Sequence, residues 1–435
     1  MRPIKSAEPP AWPQTLSNAH RESLTLSLKL ITPMFGGGYK AGEVDDVCRI
    51  RAATVRGHLR FWWRALYGAE YTTSNALFKA EEARWGSTEK PAAISLKVIV
   101  TSNGNSKTYS QWTSSNSALT YFLFPFQKNN QRPQEGKGYA DIAFTLTLDF
   151  PAEYHDEVER TLKAWIAFGG IGARTRRGCG ALTVTENVAK WCMPANPSER
   201  TNWLKKLLPS VAGQRSSTNI PILQGAECVL GAANRDAMQV WEGLAQFWRK
   251  FRKGIVSASG SNTGRRNALY GPGLWKDYSC LASNLLRNNA LPLVKPFLGL
   301  PIIFQDTPTL RNATQGFIGD LVPEDSGRMA SPLILKPIAL SDGQFCPCVL
   351  VLSAGRPQKL KATGQLLDQN RRKSVDASVT VRMPTPSEEP LLGSLDVRDV
   401  YAGVIEAAKK FFKERTDATN LVSINLITEE ANHNA

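Results

Sequence analysis

Residues Leu24 to Ile31 alternate without a break, with Leu24, Leu26, Leu28 and Leu30 on one side and Thr25, Ser27 and Lys29 on the other. A period of two predicts a strand with one buried face. Ile142 to Phe150 alternates as sharply, and Ile94 to Val100, Tyr121 to Phe126 and Ala181 to Thr185 are further strand candidates. Helical spacing appears between them. Val55, Leu59, Trp62 and Leu66 form one apolar stripe, and Val158, Leu162, Trp165 and Ile166 form another within a helix predicted from about Glu153 to Phe168. The order strand, helix, strands, helix, strand predicts an α+β fold built on a ferredoxin-like, RRM-like split βαβ unit with an inserted hairpin.

The second half repeats this order more faintly. It has a strand near Ile222, a helix from Asp236 to Lys253, strands at Ser331 to Ile338 and Phe345 to Ser353, a helix from Arg398 to Phe412 and an end strand at Leu421 to Ile427. Lys190 to Ile220 is rich in Pro, Ser and Asn. The expected division is therefore a first ferredoxin-like domain over 1–190, a linker over 191–220, and a second such domain over 221–435, with inserted hairpins and loops. At 435 residues the chain exceeds one ordinary core. The Gly- and Arg-containing stretch from Ser257 to Gly273 reads as a loop that orders on RNA.

Charge narrows the function. Lys and Arg number 53 against 38 Asp and Glu, a formal net charge of +15, which favours an anionic partner. Nucleic acid fits better than membrane, because no segment approaches the roughly 20 apolar residues that span a bilayer. The start, MRPIKSAEPPAWPQ, is broken by prolines and lacks the apolar stretch of a secretory signal, so a cytoplasmic protein is expected. The seven cysteines are scattered, and Cys346 and Cys348 stand too close for a zinc knuckle with no second pair to join them. Free thiols, no metal and no cofactor are expected.

The run RIRAATVRGHLRFWWR holds Arg49, Arg51, Arg56, Arg60 and Arg64 with no acidic residue. At about 100° per residue, Arg56, Arg60 and Arg64 fall within an arc of roughly 80° away from the apolar stripe. Arginines four apart repel, so an anion has to offset them. A nucleic acid backbone would do so; so would carboxylates elsewhere in the chain, and both readings are open here. Trp63 and Tyr67 border the arc, where they could underlie guanidinium planes or offer a surface to an unstacked base. Two glycine loops add to the pattern. The first strand runs into Thr32-Pro33-Met34-Phe35-Gly36-Gly37-Gly38, whose glycines let backbone approach a ligand closely, and Lys40 follows. The second, Gly169 to Gly180, includes Gly170, Gly172 and Gly178 together with Arg174, Arg176 and Arg177. Accessible backbone N–H groups and three arginines make a phosphate cradle. It matches neither a P-loop nor a dinucleotide fingerprint, because no Lys-Ser or Lys-Thr follows and it lies after a helix and before a strand.

LITPMFGGG, TVRGHLRFWWRALYG and GGIGARTRRGCG, in this order, resemble the RAMP proteins of type III-B CRISPR effector complexes, and most of all the first RAMP subunit of the Cmr module. LGLPIIF and RMASPLILKPI look like that family's second half. The resemblance implies two ferredoxin-like domains and a non-catalytic subunit at the end of a ribonucleoprotein, beside other RAMP subunits. It implies contact with the 3′ part of the CRISPR RNA and the target RNA paired with it, in antiviral defence. It carries RNA contact onto Arg49, Arg51, Arg56, Arg60, Trp63, Arg64 and Gly169 to Gly180. The loop Arg415 to Asn420 lacks glycines, so no such role carries over to it.

Some RAMP relatives cleave RNA, so acids and histidines need weighing. His58 projects away from the arginine arc, and nothing pairs His20, His155 or His433 with a second catalytic group. Asp45 and Asp46 are the better candidates, placed to hold a metal near an RNA phosphate or to pair with Arg49 and Arg51. The expected reading is a binding subunit with no catalytic residue. A metal-dependent endoribonuclease acting through Asp45 and Asp46 is the alternative.

Overall fold

The leucine row that predicts the first strand needs a covering layer, and two helices supply it. The computed structural model describes residues 20–40, 42–114, 117–130, 133–209, 220–255, 274–287, 289–304, 315–368, 371–415 and 420–426. The expected loop at 257–273 lies outside them. The strands are β1 (Arg21–Leu30), β2 (Met34–Phe35), β3 (Ser95–Thr108), β4 (Lys137–Pro151), β5 (Leu182–Val184), β6 (Ile222–Leu230), β7 (Leu291–Pro292), β8 (Ile302–Phe304), β9 (Gln315–Pro323), β10 (Leu333–Ala339), β11 (Phe345–Ser353), β12 (Lys359–Asp368), β13 (Arg371–Arg382) and β14 (Val422–Leu426). The helices are α1 (Ala52–Tyr67), α2 (Ser74–Trp85), α3 (Tyr109–Trp112), α4 (Leu119–Leu123), α5 (His155–Phe168), α6 (Val188–Trp191), α7 (Pro197–Leu207), α8 (Ala237–Arg252), α9 (Asp277–Asn284), α10 (Pro390–Gly393) and α11 (Val400–Lys413). The fold is α+β with mainly antiparallel sheets.

The first sheet runs β5-β1-β4-β3, with β2 continuing beside β4 past the end of β1. The second runs β14-β6-β11-β10. Both connect in the same way, strand, helix, two strands, helix, strand, with α1 and α5 serving the first sheet and α8 and α11 the second. The layers stack. One core joins Leu28, Phe144 and Leu146 of the first sheet to Leu59 and Leu162 of its helices, and continues to Cys228, Ile334 and Leu350 of the second sheet. A separate core joins Val229, Leu335 and Val349 to Leu244 and Val404 of α8 and α11. The second sheet is thus covered on both faces, and every residue of β10 is buried.

One of those residues is Lys336. It is 0% exposed and donates to the carbonyls of Ile166 at 3.0 Å and Gly169 at 2.7 Å. These acceptors belong to the C-terminal turn of α5, where helix carbonyls lack partners and the dipole is negative. A side chain from the second half therefore caps a helix of the first.

Two sequence expectations are corrected. Tyr121 to Phe126 is helical, as α4 and a 3-10 turn at Phe124–Phe126, because Pro125 cannot serve a ladder and the aromatics pack sideways. Phe126 stacks on Phe35 at 4.6 Å and Phe122 leans on Trp241. The strand expected over Ile94 to Val100 runs further, since β3 stays paired with β4 out to Thr108 opposite Lys137. Beyond the predicted elements, β7, β13, β12, β9 and β8 form a third sheet with its own core around Leu281, Phe317 and Leu360. Within 191–220 the chain forms α7, whose buried Arg200 donates to the carbonyls of Pro194 and Ala195. All seven cysteines are free thiols. Among the described residues no helix is long and apolar enough to cross a membrane.

Candidate nucleic-acid interface

α1 buries Val55, Leu59, Trp62 and Leu66, the predicted stripe, and leaves Arg56, Arg60 and Arg64 partly exposed. What offsets their repulsion is a carboxylate. Glu81 of α2, 4% exposed at its side chain, accepts from Arg60 Nε at 2.5 Å and Arg64 Nη1 at 2.6 Å. One negative charge between two guanidiniums leaves this face cationic, and Arg56 has no ion pair among the described residues. Trp63 is not the predicted base-stacking surface. It is 1% exposed, its Nε1 donates to Glu157 Oε2 at 2.8 Å, and Arg84 lies over its ring while holding Glu157 through Nε and Nη2. Tyr67 is buried against it. A helix between two sheets has too little free perimeter to expose two aromatics beside its arginines.

The two glycine loops lie backbone to backbone. Gly36 and Gly37 take φ of +62° and +93°, and a Cβ on Gly37 would stand 3.1 Å from Gly172 Cα. Ala173 N donates to Phe35 O at 2.6 Å, and Gly180 N donates to Pro33 O at 2.9 Å. Buried Thr32, which sequence reasoning missed, donates to Gly178 O and accepts from Ala181 N. Arg51, at the N-terminus of α1, donates to Gly37 O at 2.5 Å. Arg49 lies 4.1 Å from the centre of the Tyr139 ring and pairs with Asp46 at 3.5 Å. Gly38 closes the turn through Glu43 O, and Lys40 is exposed beside Tyr39, itself 78% exposed.

The second loop clamps the two halves together. Arg176 donates to Ser331 O, and Arg177 donates to Leu333 O at 2.8 Å while lying over Trp248. Trp241 Nε1 donates back to Arg177 O at 2.6 Å, and a Cβ on Gly178 would meet that indole at 2.7 Å. Gly178 is thus required by packing as well as by its φ of +79°. Gly170 is buried against Gly180 O. Arg174, in the left-handed region at φ +57°, lies 5.3 Å from the ring of Phe124, which is 58% exposed. Arg176 lies over Phe61 of α1, so loop and arginine helix adjoin. Burial lowers the proton affinity of all three guanidiniums, and Arg174, Arg176 and Arg252 push Arg177 further down. Among the described residues none of the three has a carboxylate partner. Within the described residues the loop is a knot of positive charge without a counter-ion.

The acids do not assemble a metal site. Asp45 Oδ1 accepts from the backbone N–H groups of Val47 and Cys48, which hold its carboxyl below its ordinary range. Asp46 accepts from Tyr139 OH at 3.0 Å and pairs with Arg49. Both are used in shaping the loop before α1, and among the described residues no group of three metal-binding side chains occurs. His58 is half-buried, and desolvation pushes its imidazole down to about 4. His155 pairs with Glu22 at 2.6 Å.

Residues 27–183 match the RAMP superfamily. Two proteins of Pyrococcus furiosus are similar to this chain. CRISPR system Cmr subunit Cmr1-2 is 28% identical over 176 residues, which cover 36% of this chain and 92% of that protein. Cmr subunit Cmr1-1 is 24% identical over 139 residues, 31% of this chain and 40% of that protein. Among solved structures, apo Cmr1 from Pyrococcus furiosus has 15% identity and a TM-score of 0.49, covering 77% of this chain and 88% of that one. A chain of the type III-B Cmr-β assembly bound to cognate target RNA has 14% identity and a TM-score of 0.43, covering 76% and 94%. The stretch that matches the RAMP superfamily thus carries the arginine helix and both glycine loops, and the chain is similar to Cmr subunits of CRISPR systems.

Proposed function

We propose that this chain is a non-catalytic RNA-binding subunit of a cytoplasmic type III-B CRISPR ribonucleoprotein, assembled with other RAMP subunits and contacting the 3′ region of the CRISPR RNA and its paired target. The observation that carries the reading is the knot of Arg174, Arg176 and Arg177, partly buried, without a carboxylate partner among the described residues, and adjoining the cationic face of α1. Charge held in that way is stabilised by an anion from outside the chain, and a phosphate backbone offers one at regular spacing. Arg176 and Arg177 also tie the halves, so Arg174, Arg56 and Lys40 are the side chains freest to meet phosphate. The strand orders β5-β1-β4-β3 and β14-β6-β11-β10 support two ferredoxin-like units, one on each side of residues 191–220.

The test is fluorescence anisotropy of guide-length RNA with the full chain across a salt series. Replacing Arg174 with Ala is expected to weaken binding and lower the slope of log K against log salt by about one unit, the loss of one phosphate contact. No RNA binding by the unaltered chain at low salt would overturn the reading.

A further inference from the structure

Trp63 is buried, so the base platform expected on α1 is missing, and a different aromatic stands beside the cationic loop. Phe124, in the run FLFPF, is 58% exposed, and the Arg174 guanidinium lies over its ring at 5.3 Å from the centre. Single apolar side chains at a surface are ordinary. The surroundings of this one hold it in place. Glu242 of α8 accepts from Ser117 Oγ at 2.5 Å and Ala118 N at 2.6 Å, which fixes the start of α4. Phe122 leans on Trp241, Phe126 stacks on Phe35, and Pro125 stiffens the turn between them. With buried neighbours two residues away on either side, Phe124 is turned outward and has little freedom left to lose on binding. Arg174 occupies one side of the ring, so the other meets solvent. The pairing of exposed aromatic and cation recurs on the first glycine loop, where Lys40 Nζ lies 5.7 Å from the ring centre of Tyr39. That loop is bonded to the second through Ala173 N and Phe35 O.

We propose that Phe124 is a stacking platform for one unpaired RNA base, on the face of its ring away from Arg174. An aromatic ring accepts the face of any base, whatever the sequence. An apolar protein partner would cover the ring as well but would leave the arginines of the loop without an anion; a single strand of RNA supplies base and charge together. The inference rests on the RNA-binding reading above and adds to it a contact with a base. It further requires the strand to be unpaired at this point, because a base inside a helix has its faces covered by its neighbours.

The experiment titrates the full chain, by fluorescence anisotropy across a salt series, with labelled oligo(U) and with an abasic oligomer of the same phosphate count. Phe124→Leu and Phe124→Trp are compared with the unaltered chain, and melting curves verify that each variant folds. Phe124→Leu is expected to bind oligo(U) about tenfold more weakly at an unchanged salt slope, because a stacked base is lost and no phosphate contact is. Phe124→Trp is expected to bind as tightly as the unaltered chain, and the abasic oligomer to bind all three alike. Unchanged oligo(U) affinity in folded Phe124→Leu would overturn the proposal and leave the RNA-binding reading intact, as a protein neighbour on this ring requires. An equal loss for oligo(U) and the abasic oligomer would also overturn it, because Phe124 would then act only by placing Arg174. Failure of the unaltered chain to bind either oligomer at low salt would sink the RNA-binding reading and this inference with it.

Discussion

Replacing Lys336 with Met removes a buried charge and a side-chain cap on the end of α5, and pH separates the two effects. Burial lowers the ammonium from 10.5 to about 7. The native state therefore binds fewer protons than the unfolded chain between about pH 7 and 10.5, and stability attributable to this group rises with pH across that window. Below pH 7 both states are protonated and the burial penalty is fully present. Each pH unit is about 1.4 kcal/mol, so from pH 7 to pH 10 the gain is about 4 kcal/mol. The methionine variant has no such term, and it leaves the carbonyls of Ile166 and Gly169 without this donor, at about 1–3 kcal/mol each. Near pH 6 relief of the buried charge offsets that loss and the two proteins are of similar stability. Near pH 10 the unaltered chain, whose neutral amine still donates, is ahead by several kcal/mol. Urea unfolding at unit pH steps measures the difference, in which all other titrations cancel. A difference that stays level within about 1 kcal/mol from pH 6 to 10 would refute the reasoning.

Glu81→Gln leaves Arg60 and Arg64 facing each other without a counter-ion, at a cost of about 3 kcal/mol by the measure of broken buried pairs. The same change frees positive charge, so RNA affinity is expected to rise with a salt slope steeper by about one unit; a weaker, shallower response would place RNA away from this face. Trp63→Phe keeps an aromatic ring but removes the pyrrole part of the indole with the N–H that meets Glu157, lowering stability by about 2 kcal/mol in a thermal melt. It is expected to leave RNA affinity unchanged, and a large loss of binding would restore Trp63 as a base contact.

What could be read from the residues follows from how many faces each element buries. β1, β4 and α1 show clean periodicity because part of their perimeter stays polar; β1 lies within a few residues of its expected limits, while β4 starts at Lys137, well before the expected Ile142. β10 has a lysine inside an apolar run and both faces buried, so neither its partners nor the task of Lys336 is visible locally. Trp63 looked available because the groups that cover it, Arg84 of α2 and Glu157 of α5, are distant in sequence and their approach is not visible locally. The partner of Arg60 and Arg64 was missed with α2 itself, whose segment SNALFKAEEARW buries Leu77, Trp85 and two glutamates without an apolar stripe. The third sheet escaped because strands such as Arg371–Arg382 leave most of their residues exposed. The glycine loops read as places where backbone approaches a ligand closely; that the second also ties the halves through Arg176 and Arg177 needed the partner carbonyls to be seen.

The second sheet serves as a party wall. Ile334 and Ile338 look into one room and Leu333 and Leu335 into the other, across the thickness of a single layer. No hinge can open between rooms that share a wall. The separation between the cationic loop and the helices beyond the sheet is then set by the packing of that one shared layer.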